Sequence, residues 1–104
     1  MNQDAVLRAR MLLLGTDRRV LRGPRGLWAY RLLTQVSPEA YGSKLARVLV
    51  DATRLPEVSG LPQARLALLE EAIATARALD AGNPYRERVL ALALAAREAE
   101  LRAR

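Results

Sequence analysis

The stretch Leu61–Pro84, LPQARLALLEEAIATARALDAGNP, decides the fold. At 3.6 residues per turn it places Leu61, Leu69, Ala72, Ile73, Ala76 and Leu79 on one side, with Leu66 and Leu68 at the edges. Ser59 and Gly60 are available as caps, and Pro62 falls in the first turn, where its missing N–H costs little. Gly82 suits a left-handed C-terminal cap, and Pro84 forbids continuation, with Asn83 placed to cap the next helix. The spacing therefore predicts one helix over 61–80, about 30 Å long. Ala67, Ala74 and Ala78 line a nearly opposite stripe, which predicts a second, close neighbour. Arg65 interrupts the bulky face in the first turn.

Outward from this helix, the rest of the chain reads as further helices. At 104 residues it predicts a single domain, 1–104, with one core. Half of the residues, 51%, are hydrophobic, which argues against disorder. Runs of β-branched residues are absent and Leu and Ala dominate, so the fold class is all-α. The sequence has no Cys and no His, which removes disulfides, thiol chemistry and the common transition-metal sites. No apolar run is long enough to span a bilayer, and Met11–Leu14 after Arg8 and Arg10 is too short for a signal peptide. The expected location is cytoplasmic, with no membrane partner.

A first helix starts at Asn2 or Asp4 and runs to about Leu14, with Leu7, Met11 and Leu14 as its face and Leu12 and Leu13 beside it. Residues 16–26, TDRRVLRGPRG, read as a basic loop. A second helix over 25–36 sets Ala29, Leu33 and Val36 on one face with Leu32, and Trp28 is expected in inter-helix packing. Ser37-Pro38-Glu39 combines a cap residue, a first-turn proline and a first-turn acid, and opens a third helix running to about Leu55. Its core face is Tyr41, Leu45, Val48, Leu49 and Ala52, and Lys44, Arg47, Asp51 and Arg54 are solvated. Residues 56–60 read as a loop. The last helix, from Pro84 to about Ala103, has Tyr85, Val89, Leu92 and Ala96 on one side. A second apolar stripe, Leu90, Leu94 and Leu101, asks for another partner and is a candidate self-association surface.

Charge is unevenly distributed. The net charge is +6, and residues 1–36 hold seven arginines against Asp4 and Asp17, a net +5. Such a preference for Arg also follows from a GC-rich gene. Its chemical reading is contact with phosphates or an acidic partner through Arg18, Arg19, Arg22, Arg25 and Arg31. No aromatic residue is interleaved in the basic loop, as single-strand binders require, and no Gly-rich phosphate cradle with lysine is present.

The chain also repeats itself. Tyr30-Arg31-Leu32-Leu33 followed by Ser37-Pro38 parallels Ala76-Arg77-Ala78-Leu79 followed by Asn83-Pro84. After each proline, Tyr41, Leu45, Leu49 and Ala52 parallel Tyr85, Val89, Ala93 and Ala96. Over about residues 25–100 the junctions EEAIATARALDAGNPYRERVLALALAA and VSPEAYGSKLARVL resemble those between tetratricopeptide-type repeats. The spacing is longer than the usual repeat, and the Trp, Leu-Gly and Tyr pattern of its first helix is absent. The resemblance implies a superhelical surface for a peptide or protein and identifies no binding residue.

The expected architecture is about five helices in an antiparallel helical-hairpin array, either a solenoid or a compact bundle. Ser37, Ser43 and Ser59 have no evident base, and adjacent Glu70 and Glu71 must point in different directions. Neither an enzyme nor a cofactor is expected. The leading expectation is a protein–protein interaction module or small adaptor, self-associating through its helices. The alternative is a basic accessory protein that contacts nucleic acid through its Arg-rich N-terminal loop.

Overall fold

The computed structural model describes residues 3–14 and 23–104, with the side chain of Leu14 outside the description. Arg18, Arg19 and Arg22 of the basic stretch therefore lie outside the described residues. Among those described there are six α-helices and no strand: α1 (Gln3–Leu14), α2 (Gly23–Val36), α3 (Pro38–Ala52), α4 (Pro56–Ser59), α5 (Pro62–Arg77) and α6 (Arg86–Arg102). The all-α reading holds. The sixth helix is the single turn α4, inside the segment read as a loop.

The hub is α3, which packs against α2, α5 and α6. Its sequence explains this. Leu45, Val48, Leu49 and Ala52 are buried as their spacing predicts, and Gly42, Ala46 and Val50 are buried beside them. Apolar or small residues thus cover most of the helix circumference, leaving a narrow exposed edge at Lys44 and Arg47, with Arg54 exposed in the turn that follows. Lys44 Nζ lies 5.6 Å from the centre of the Tyr41 ring. Gly42 admits a neighbour: a Cβ there would stand 2.8 Å from Leu79 Cδ2. Leu33, Leu49, Leu69, Ile73 and Val48 are the largest fully buried side chains.

The long helix differs from expectation in three ways. It is shorter, ending at Arg77 rather than Asp80. Gly82 does not stop it; the sole positive φ among the described glycines is +83° at Gly23. Tertiary contacts stop it instead. Arg86 donates from Nε to the Leu79 carbonyl at 3.0 Å and from Nη2 to the Arg77 carbonyl at 3.4 Å, placing a cation on carbonyls the helix leaves open. Finally, the Ala67, Ala74 and Ala78 stripe faces solvent, so α5 has one packed face, formed by Leu69, Ala72, Ile73 and Ala76. Leu61 is the N-cap and is exposed rather than part of that face.

The two copies of the cap-proline junction behave differently, and they meet. Pro38 stands at the start of α3, although the Ser37 side chain makes no cap hydrogen bond. At the second junction α6 begins only at Arg86, after a turn in which Asn83 Oδ1 accepts from the Tyr85 N–H at 2.9 Å. Glu39 of the first junction grips the second. Its Oε2 accepts from the Asp80 N–H at 3.0 Å and its Oε1 from Asn83 Nδ2 at 2.9 Å.

Three further faces differ from their predicted positions. On α1, Ala9 is buried against Ala29 and Leu33, with Val6, Leu12 and Leu13 packing around it, while Leu7 and Met11 point outward. Two alanines at the crossing let the helices approach closely, and that docking selects a smaller residue as the buried centre. On α6, Val89 and Ala93 are buried and Leu90, Leu94 and Ala96 pack on the core, while Tyr85 and Leu92 are exposed. On α2, Tyr30 joins Ala29 and Leu33 in the interior, and Val36 is exposed.

Candidate functional site

Glycine sets the start of the site. Gly23 adopts the left-handed φ that favours its residue type, and Pro24 follows inside the first turn. α2 consequently begins two residues before its predicted start, and Arg25, where the predicted loop and helix overlap, lies in the helix. Pro24, Trp28, Arg31 and Gln35 recur at i, i+4, i+7 and i+11, so they share one side of α2. The end of α1 lies against the beginning of α2, and the two helices form a hairpin.

Arg8, Met11, Leu12, Pro24, Arg25 and Trp28 line an open groove of about 590 Å³ across this hairpin. Met11 is 62% exposed, Trp28 45%, and Leu7, one turn before Met11, 57%. Trp28 was expected in inter-helix packing; instead it forms the wall shared by this groove and a second depression lined by Leu27, Arg31, Leu32 and Gln35. The buried side of α1 satisfies the hairpin without Leu7 or Met11, which is why they remain outside.

The groove's charge is as uneven as its polarity. No described acidic side chain forms an ion pair with Arg8, Arg10 or Arg25. The first turn of α2 contains no acid, and Arg25 stands at the positive end of that helix's dipole. Apolar surface and positive potential therefore coincide.

Arg31, the remaining described member of the predicted basic set, is differently placed. Its Nε and Nη2 contact Glu71 Oε2 and Oε1 at 2.9 and 2.6 Å, a two-point bridge from α2 to α5. It straps one side of a groove of about 470 Å³ floored by Gly42, Leu45, Ala74 and Ala78. That groove's cation is already neutralised by Glu71, so it offers little charge to a ligand.

The far end of the molecule is internally paired. Arg65 and Glu100, with side chains 20% and 10% exposed, meet at 2.5 Å (Nε to Oε1) and 3.2 Å (Nη2 to Oε2). Arg65 Nη1 also donates to the Val58 and Ser59 carbonyls. The hydrogen bond from Arg65, reinforced by its charge and that of Arg104, holds the Glu100 carboxyl below its ordinary range against the opposing effect of burial. The same hydrogen bond raises Arg65. Arg97 of α6 pairs with Glu70 at 3.3 Å, so Glu70 and Glu71 do point to different helices. Of the predicted self-association stripe, Leu90 and Leu94 pack on the core, and Leu101 is exposed near the end of α6.

Sequence reasoning missed Leu7, Met11 and Trp28 as a surface. Leu7 and Met11 share a side of α1 at i, i+4, but periodicity cannot say which of two apolar sides of α1 faces inward. No protein-family model matches the chain, and no curated protein and no solved structure matches it.

Proposed function

We propose that this chain is a protein-interaction module, a small helical adaptor whose partner docks on the outward face of the α1–α2 hairpin. The observation that carries this reading is the exposure of Met11 and Trp28 around one groove, with Leu7 a turn away. Trp is among the residues on which binding energy concentrates, and Met packs adaptably against varied partners. The scaffold behind them is packed: α2 packs on α3, and α3 on α5 and α6. The tetratricopeptide-like junctions agree with a binding role but do not specify it.

Affinity capture with the intact chain and its Trp28→Ala and Leu101→Ala variants tests the reading. A partner recovered by the parent and by Leu101→Ala, but lost with Trp28→Ala, is the expected outcome. Loss with Leu101→Ala alone would move the interface to α6 and restore self-association through that helix as the better reading.

Nucleic-acid binding is the second reading, supported by Arg8, Arg10 and Arg25 standing without acidic partners among the described residues, with an exposed tryptophan nearby. Phosphate contacts would make affinity fall steeply with salt. Anisotropy titrations of single- and double-stranded DNA at two salt concentrations test it, and absence of binding at low salt would dispose of it.

A further inference from the structure

We propose that the occupant of the α1–α2 groove is an amphipathic α-helix of a partner protein, apolar along one side and acidic along its flanks. This rests on the hairpin being the interaction surface and specifies what it recognises.

The shape argues for a helix. The groove lies along two packed helices, with Met11 and Leu12 from one and Pro24 and Trp28 from the other. A third helix laid in such a seam buries residues at i, i+3, i+4 and i+7. The described residues present no sheet edge that an extended peptide could join. α1, at 12 residues, is about 18 Å long, which about three turns of a partner helix would match.

The charge argues for acid on the flanks. Arg8 and Arg25 line the groove, Arg10 lies on the same helix as Arg8, and no acidic side chain among the described residues lines it. Elsewhere Arg31, Arg65, Arg97 and Arg102 meet carboxylates within the fold. A partner carrying Glu or Asp beside its apolar stripe would supply the missing acids and also neutralise the cation at the start of α2. A second copy fits poorly, because each chain carries +6. Its α6 exposes Leu92 and Leu101, but nearby Glu98 is engaged by Arg102. Nucleic acid would use the cations and Trp28 and leave Met11 and Leu7 without a role.

Trp28 is the one tryptophan of the chain, so its emission reports directly on the groove. The probe is a Trp-free synthetic peptide of four helical turns with Leu at i, i+3, i+4 and i+7 and Glu on the flanks. Comparison peptides replace Glu by Lys or Leu by Ser, and a single-stranded oligonucleotide is titrated in parallel. The expected result is a saturable blue shift with the Glu/Leu peptide, at least tenfold weaker binding for either altered peptide, and weakening as salt rises. A double variant, R8E/R25E, should reverse the preference toward the Lys peptide. Its circular dichroism, matching the parent, shows that the effect is not unfolding.

Equal binding of the Glu/Leu and Glu/Ser peptides would overturn the proposal, because charge alone would then suffice. Tighter binding of the oligonucleotide would overturn it in favour of nucleic acid. A concentration-dependent shift without any peptide would assign the groove to a second copy. If Trp28→Ala abolishes partner capture while no peptide binds, the hairpin remains the interaction surface and only the acidic helix is refuted.

Discussion

The two ends of this molecule solve the same problem in opposite ways. Both are helical pairs rich in arginine and leucine. In the α5–α6 pair Arg65 meets Glu100 and Arg97 meets Glu70. Leu69, Ile73, Val89 and Ala93 are buried there and Leu90 and Leu94 pack on the core, while Leu92 and Leu101 stay outside. In the α1–α2 pair, Arg8 and Arg25 line a groove with no acid among the described residues, and Leu7, Met11 and Trp28 stand exposed. Folding explains these pairings and this burial in the first. It does not explain the second, and that residue of unexplained chemistry is what points to a partner.

The largest expected effect belongs to the self-contained end. Leu69 is 2% exposed in the core shared by α3, α5 and α6. Leu69→Ala should destabilise the protein by about 2–5 kcal/mol, measured by chemical denaturation. A neutral outcome would mean that the packed face of α5 is misassigned and that the ends do not differ as described.

Next comes the half-buried ion pair. Because the Glu100 carboxyl is held below its ordinary value, its contribution to stability is present above the unfolded carboxylate range and disappears as pH falls through its lowered folded value. Glu100→Gln should therefore be less stable than the parent at neutral pH, and the difference should close in acid below about pH 4. A difference independent of pH would show that the side chain acts through packing rather than charge.

A smaller effect is expected where Glu39 grips the turn before α6. These hydrogen bonds are exposed, so Glu39→Ala should cost about 1 kcal/mol. Its specific signature is local: the Asp80 amide, which donates to Glu39, should exchange with solvent faster while core amides of α3 keep their protection. Uniform loss of protection would mean that the junction stabilises the whole fold.

These elements show what the sequence could and could not tell. Leu69, Ala72, Ile73 and Ala76 were legible because one face of α5 has bulky apolar residues at helical spacing and the remainder does not. The Arg65 misfit was legible as an anomaly, but its resolution by Glu100, 35 positions later, was not, because pairing at that separation depends on the fold. The end of α5 was misjudged for the same reason: Gly82 is a sound local signal, yet Arg86 and Glu39 stop and turn the chain first. The candidate surface was the least legible part. Arg8 and Arg25 could be counted, but α1 has apolar residues on nearly every side, and only docking of Ala9 on Ala29 decides which are left out.

That last point gives the smallest and most discriminating stability prediction. Met11 and Leu12 are neighbours in sequence and nearly equal in apolar bulk, but Leu12 packs against the Ala9–Ala29–Leu33 cluster while Met11 faces solvent. Leu12→Ser should lose about 1–2 kcal/mol of apolar burial. Met11→Ser should fall within about 0.5 kcal/mol of the parent, as surface changes do. Measured by denaturant midpoint at constant slope, the pair reads the rotation of α1 directly. If Met11→Ser were as costly as Leu12→Ser, the exposed residues would belong to the fold, and the asymmetry between the two ends would vanish. If it is neutral for folding while partner binding falls, Met11 is retained for recognition rather than for stability.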